Sequence, residues 1–471
     1  MRKTKIICTI GPATESEEIL EQLCLAGMSV ARFNFSHGTH EWHKTVMDRL
    51  KRVRERLNLP VAIMLDTKGP EYRIGNFEKT EVTLNDGDKF IFTTDDVIGT
   101  KERVSVSYKE LHNELVPGDA IYVNNGLVKF VVDEIDGHDI KCTAVFGGTI
   151  SNHKSMSFPG KLLHQVFLSE QDKDDILFGI ENDVDLVAAS FMSTKQDAED
   201  IRNFLDEHGG KNIDVIAKIE NQSGVDNIYS ICEICNGVMV ARGDLGIEIP
   251  FEQVPAYQKQ LITVCRMLGK RVITATEMLE SMISSPRPTR AEISDVANAV
   301  YDGTSAVMLS AETASGRYPL QAVKVMAEVC AETEKHIDYQ RQFHDANFKI
   351  SNNIDAISHS ACNMALITGA KAIAVCSLSG TTVRMVSRFR PVADIIGLTS
   401  DIKEWRKLSL SWGVIPVLTE EYPSAEIIFY SAFKKAVKTL GLKSGDNVII
   451  VGGSVSGRNG ANNTIRLEQV Q

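Results

Sequence analysis

The chain has 471 residues, 43% hydrophobic and 24% charged, with a formal net charge of −11 at pH 7. This fits a folded chain of about three domains, and the acidic balance gives no general reason to expect nucleic-acid binding. No run approaches the ~20 apolar residues of a membrane span, so neither nucleic acid nor a membrane is an expected partner.

The N-terminal MRKTKIICTIGP has a basic start, but its short apolar run meets Gly-Pro and reads as a first strand, not a secretory signal. Runs rich in Val, Ile and Ala then recur. They are KIICTI (5–10), MSVARFNF (28–35), VAIMLDT (61–67), VDLVAAS (184–190), IDVIAKIE (213–220), GVMVARGD (237–244), RVITAT (271–276) and SAVMLS (305–310). Amphipathic stretches such as SEEILEQLCLAG (16–27) and PAYQKQLITVCRMLG (255–269) separate them. Apolar strands alternating with helices imply parallel β/α units. Eight of them predict a closed (β/α)₈ TIM barrel, residues 1–68 plus 169–340. The stretch 69–168 interrupts it with Gly-Asp turns and short alternating runs, and predicts a small inserted β-rich domain. From 341 to 471, KAIAVCS, ADIIGLT, GVIPVL and NVIIVGG alternate with helices and predict a separate open α/β domain.

Nine scattered cysteines suit reduced thiols in a cytoplasm. Cys232 and Cys235 form a lone C-x-x-C without the second pair a zinc site wants, which favours two buried small residues. HEWH (40–43) is one residue short of a zincin motif and reads as a helix start. There is neither G-x-x-x-x-G-K-[ST] nor a G-x-G-x-x-G after a strand.

Polar residues gather at the C-terminal ends of six of the eight barrel strands. They are Arg32, Asn34 and Ser36; Asp66, Thr67 and Lys68; Lys218 and Glu220; Arg242 and Asp244; Thr276 and Glu277; Ser310 and Glu312. In a barrel these ends form one rim, where active sites sit. Lys218 and Glu220, two apart on a strand, share a face. Glu220 and Asp244 are a carboxylate pair suited to Mg²⁺, and Lys218 and Arg32 add fixed positive charge. Together they suit a phosphoryl group in transfer. Arg242-Gly243-Asp244-Leu245-Gly246 reads as a glycine-rich turn whose N–H groups could cradle an anion. Asn34, Ser36, Asp66 and Thr67 either line a second cation site or cap turns after two strands. In the last domain, Ser377, Ser379, Gly380, Thr381 and Thr382 lie between a strand and a helix, as an anion site or an ordinary capped helix start.

ARFNFSHGTHEWH, MLDTKGPEYRIG, AKIENQSGVDNI, VARGDLGIEIP, TATEMLESMI and MLSAETASGRYP, in this order, resemble pyruvate kinase, and the likeness covers nearly the whole chain. The resemblance implies phosphoryl transfer from phosphoenolpyruvate to ADP, giving ATP and pyruvate. It implies that Glu220 and Asp244 bind Mg²⁺ or Mn²⁺ and that Lys218 stabilises the phosphoryl group. Arg32, Gly243, Asp244 and Thr276 would contact substrate, with Thr276 and Ser310 at the proton relay. Arg73 and Lys154, from an inserted β-barrel lid, would reach the nucleotide with Asn34, Ser36 and His37. Asn34, Ser36, Asp66 and Thr67 match a K⁺ site, and Glu71 marks K⁺-dependent members. The serine–threonine loop, with Arg458 from GGSVSGRNGANNT, matches an effector site for a sugar phosphate or nucleotide. A cytoplasmic homotetramer is implied. Departures are Glu277 where many relatives carry glutamine, SFPGKLLHQVFLSEQD after the lid, His153 beside Lys154, and no tryptophan matching the one some relatives use to grip a sugar bisphosphate. The alternatives are a lyase or aldolase using Lys218 as a Schiff base, or an inactive metabolite sensor.

Overall fold

The computed structural model describes residues 2–161, 163, 166–346, 348–453 and 462–471. Eight parallel strands close into a barrel: Lys5–Thr9, Val30–Asn34, Ala62–Asp66, Leu186–Ala189, Asp214–Ile219, Gly237–Ala241, Arg271–Ala275 and Ala306–Leu309. The ring closes where Lys5 pairs with Ala306. Each strand lies within one of the eight expected runs. Inward residues such as Ile7, Met64, Ile216, Met239 and Ile273 fill the barrel, and outward ones such as Ile6, Ile63 and Val215 pack under the helices. Burial on both faces is why these strands read as unbroken apolar runs.

The helices start where side chains cap them. Thr39 caps His40–Leu57, so HEWH opens a helix, and Ser169 and Thr194 form capping boxes with Asp172 and Asp197.

Between the third and fourth barrel strands lies a seven-stranded sheet with a two-stranded companion. Its outer strands are Tyr72–Arg73 and Arg103–Ser105. An antiparallel bridge between Ile74 and Val106, just beyond them, joins the two edges. The sheet thus curls around Phe90, Phe92 and Phe130, whose rings pack at centroid distances of 5.0–5.7 Å.

The C-terminal region carries a five-stranded sheet in the order Val414–Leu418, Asp394–Thr399, Ala372–Cys376, Asn447–Gly453, Asn462–Gln469. Four strands match the expected runs. The fifth, antiparallel, was not expected: NNTIRLEQ is an edge strand without a buried residue, so it carries no apolar run. Leu410 from this region belongs to the barrel's inner cluster and plugs its floor. Among the described residues no helix is long and apolar enough to cross a membrane.

Candidate active site

Parallel register brings the polar strand ends to one rim. Asn34 lies beside Asp66 across the second and third strands. Lys218 Nζ is 3.0 Å from Asp66 Oδ1, 3.1 Å from Glu220 Oε1 and 2.6 Å from Ser190 Oγ. Arg32 Nε donates to Asp66 Oδ2 at 2.5 Å, and its Nη1 donates to Thr9 Oγ1 at 2.9 Å. The result is an alternating chain, Arg32–Asp66–Lys218–Glu220, with no member more than 8% exposed. Asp66 is its hub, a role sequence reading missed because its partners come from strands 34 and 152 residues away.

The electrostatics follow from this order. Burial opposes charge on Lys218, but Asp66 and Glu220 outweigh it and hold the ammonium above the ordinary lysine range. A Schiff-base lysine needs the reverse shift. Burial likewise opposes charge on Asp66, but Arg32 and Lys218 hold its carboxyl below the usual range. Glu220 goes the other way. Burial pushes its carboxyl up and Asp244 adds to this, against Lys218 and the Phe191 N–H that donates to Oε2 at 2.6 Å. A cation between Glu220 and Asp244 would relieve that repulsion. Among the described residues no three His, Cys, Asp or Glu side chains converge as a metal cage. Two carboxylates with the remaining positions left to substrate and water suit Mg²⁺, which keeps several non-protein ligands. The donor set fits.

The sixth and seventh strands bring the next residues. Arg242-Gly243-Asp244-Leu245-Gly246, expected as a glycine-rich turn, is the start of a short helix, Arg242–Glu248. The Gly243 N–H donates to Thr276 Oγ1 at 2.7 Å, while Asp244 is exposed and faces the cleft described below. Thr276 and Glu277 both sit at positive φ, 69° and 54°. Two consecutive non-glycine residues there, one β-branched, mark a strained turn of the kind found at functional sites. Arg242 holds it. Its Nη2 donates to the Thr276 carbonyl at 2.6 Å, and its guanidinium pairs with Asp295 at 2.8 Å. Sequence reading missed this second role, since Asp295 gives no signal of its own. After the eighth strand, the Ser310 N–H donates to Glu312 Oε2 at 2.7 Å, and the Ser310 Oγ is buried without a hydrogen-bond partner among the described residues. That free hydroxyl suits a proton-relay position.

A cleft of about 540 Å³ separates the rim from the inserted sheet, and His37, Arg73, Lys154 and Asp244 all line it. Arg73 donates to Glu71 at 2.7 Å and to the His153 carbonyl at 2.7 Å. Asn34 Oδ1 accepts from the Ser36 N–H at 3.1 Å, the turn-capping arrangement. The Thr67 carbonyl accepts from Ser190 Oγ at 2.7 Å. Asn34 and Asp66 are register neighbours, and Ser36 and Thr67 follow them along the chain; all four carry hard oxygen donors, a chemistry that suits a cation such as K⁺.

In the C-terminal domain, the loop after Ala372–Cys376 leads into the helix Thr381–Arg388 through Gly380 at φ 66°. A Cβ on Gly380 would fall 1.9 Å from Glu404 Oε1, so a side chain here would have to displace that carboxylate as well as adopt positive φ. Ser379 Oγ and Thr381 Oγ1 lie 3.0 Å apart. Arg458 lies outside the described residues. Cys232 and Cys235 are buried and unpaired, as the structural reading of the C-x-x-C expected.

Comparison with known proteins accounts for this arrangement. A family model described as "Pyruvate kinase, barrel domain" matches residues 1–323, and one described as "Pyruvate kinase, alpha/beta domain" matches residues 355–468. The chain is 42% identical to a pyruvate kinase of Clostridium acetobutylicum over the full length of both. It is 45% identical to one of Staphylococcus aureus, covering all of this chain and 81% of that one. A crystal structure of a pyruvate kinase from Cryptosporidium parvum superposes with a TM-score of 0.95 at 39% identity, covering 99% of this chain and 96% of that one. The barrel, its rim of charges and the C-terminal α/β domain are those of a phosphotransferase, and the chain belongs to the pyruvate kinase family.

Proposed function

We propose that this chain transfers the phosphoryl group of phosphoenolpyruvate to ADP at the barrel rim. The bond from phosphorus to the enol oxygen breaks, a bond to a terminal ADP oxygen forms, and the enolate takes a proton at carbon to give pyruvate. One observation carries the reading: the buried Arg32–Asp66–Lys218–Glu220 chain, with Asp244 in the cleft that Arg73 and Lys154 line.

Lys218 and Arg32 present fixed positive charge to phosphoryl oxygens that gain negative charge in the transition state. Asp66 pins both cations, so the site does not reorganise during reaction. Glu220 and Asp244 would hold Mg²⁺ or Mn²⁺, which when bound neutralises and orients phosphoryl oxygens. Thr276 faces the substrate from the strained turn and Gly243 from the start of Arg242–Glu248, and Ser310 Oγ relays the proton to the enolate carbon. Arg73, Lys154 and His37 bind ADP phosphates from across the cleft, with Asn34 and Ser36 beside them. Asn34, Ser36, Asp66 and Thr67 hold K⁺, with Glu71 marking the dependence. Residues 69–168 act as the lid on a barrel of residues 1–68 and 169–340. Residues 341–471 form the effector domain, with Ser377–Thr382 as a phosphate cradle. Family membership favours a cytoplasmic homotetramer.

Mn²⁺ binding followed by electron paramagnetic resonance tests the metal pair. Glu220→Gln should weaken Mn²⁺ binding by at least about tenfold while the protein stays folded. Unchanged Mn²⁺ affinity would overturn the assignment.

A further inference from the structure

At the barrel floor, opposite the rim, six basic side chains meet around one small void. Arg266, Lys270 and Arg271 come from the approach to the seventh strand, and Arg384, Arg388 and Arg390 from the C-terminal domain. No carboxylate lines this void among the described residues. Three of the six are neutralised: Arg271 by Asp214, Arg384 by Glu404 and Arg388 by Asp355. The other three have no carboxylate within 4 Å among the described residues.

Those three cations find only partial compensation. Lys270 Nζ donates to the Cys235 carbonyl at 2.8 Å, and Arg266 Nε to the Arg388 carbonyl at 3.2 Å. Arg390 donates to the Gly303 carbonyl at 2.9 Å and to Ser305 Oγ at 3.1 Å. Arg266 also lies over the Phe348 ring at 5.5 Å, and Arg390 over Trp412 at 4.7 Å. Arg266 Nη2, Arg390 Nε and Ser411 Oγ remain buried without a hydrogen-bond partner among the described residues, and Arg390 is only 4% exposed. Burial shifts Arg266, Lys270 and Arg390 downward, and neighbouring cations add to it for Lys270 and Arg390. Buried charges are normally paired, because an unpaired one keeps its full desolvation cost. Six cations, three without a counter-ion, around a void with orphaned donors therefore lack an anion.

We propose that this seam is an anion site that takes one compact oxyanion, inorganic phosphate or the phosphate group of a small metabolite. The void as it stands is about 10 Å³, room for one water-sized sphere and less than a tetrahedral oxyanion fills, so the site must widen to bind one. Arg266 and Lys270 are both partly exposed, so they can swing aside to admit the anion and close over it with charge-assisted hydrogen bonds. The site lies apart from the rim and from the Ser377–Thr382 loop but is joined to that loop, because Arg384 Nη2 donates to the Ser379 carbonyl at 2.9 Å. A bound anion would clamp the barrel floor to the C-terminal domain beside the loop.

Thermal melting of the full chain against phosphate and sulfate, with chloride at matched ionic strength, tests this. Wild type should melt higher with either oxyanion. Arg266→Met and Lys270→Met should each weaken the apparent phosphate affinity by roughly tenfold or more. Without phosphate, Arg266→Met should melt no lower than wild type, because it removes an unpaired buried charge. Ser379→Ala/Thr381→Ala, which alters only the loop, should keep the Arg266-dependent response. Crystals soaked in selenate should show an anomalous peak between Arg266 and Arg390. If AMP or a sugar phosphate raises the melt through Arg266 and Lys270 where free phosphate does not, the site stands and its anion arrives on a metabolite. Lys270→Gln serves if Lys270→Met does not fold. Melting responses to phosphate, AMP and a sugar phosphate that are all identical in wild type and both variants would overturn the proposal, as would crystals in which selenate and AMP alike leave the seam empty. So would an Arg266→Met defect equal with and without phosphate.

Discussion

Lys218 has two roles that separate by mutation. It counterbalances Asp66 and Glu220, both fully buried, and in the proposed reaction it would present positive charge to substrate. Lys218→Met should cut kcat by about 10²–10³-fold or more. It should also cost about 3–5 kcal/mol of stability, since Asp66 keeps Arg32 but the buried Glu220 loses its cation. Adding Glu220→Gln should restore much of the melting temperature and none of the activity; recovery of turnover in the double variant would contradict the catalytic role. Glu248 offers a pH test. Burial pushes its carboxyl up to about 7, while the Phe158 N–H and Ser157 hydroxyl, which donate to it, oppose the shift. A carboxyl raised in the folded state binds a proton there that the unfolded chain has released. Stability therefore falls as pH rises from the ordinary glutamate range through about 7. Glu248→Gln should accordingly melt higher than wild type at pH 8 and equally at pH 4, and equal offsets at both would contradict it. Lys218, Glu220 and Asp244 were legible in the sequence because charged residues at the ends of apolar strands have few structural reasons to be there. Asp66 was legible as an oxygen donor but not as the hub between two cations, because that role depends on which strands close the barrel.

At the scale of elements, the turn after the seventh strand is the most constrained part of the rim. Thr276 and Glu277 hold left-handed backbone, and Arg242 and Asp295 keep it there. Arg242→Lys retains the charge but loses the planar fork. It should lower kcat/KM by about 10–100-fold through misplacement of Thr276, with Mn²⁺ affinity unchanged; loss of Mn²⁺ binding would place Arg242 among the metal's supports instead. Glu277 is exposed at φ 54°, so Glu277→Gly should stabilise by about 1 kcal/mol in a denaturant melt. Strands buried on both faces announced themselves as apolar runs, which is why all eight barrel strands and four C-terminal ones were readable. Asn462–Gln469 was not, because an antiparallel edge strand needs little apolar surface. The RGDLG segment was read as a glycine-rich turn because its glycines signal one, while it begins a helix held by a contact to Thr276 that only the fold supplies.

Across the whole molecule, buried ion pairs join the C-terminal domain to the barrel floor. Arg406 Nε donates to Asp185 Oδ1 at 2.6 Å, and Lys407 Nζ to Asp214 Oδ1 at 3.0 Å. Asp185 also accepts from the Ile63 N–H at 2.8 Å, at the start of the third strand. Arg406→Ala should therefore destabilise the chain by about 3–5 kcal/mol. In calorimetry the C-terminal domain should then melt ahead of the barrel, whereas a single unshifted transition would show that the seam carries little of the stability. The central claim, phosphoryl transfer at the rim, is tested most directly by pyruvate formation from phosphoenolpyruvate and ADP, read by coupling to lactate dehydrogenase. Purified protein should turn over with Mg²⁺, stop when the metal is chelated and rise with K⁺. Folded protein that forms no pyruvate with Mg²⁺ and K⁺ present, or forms it equally in chelator, would contradict the account.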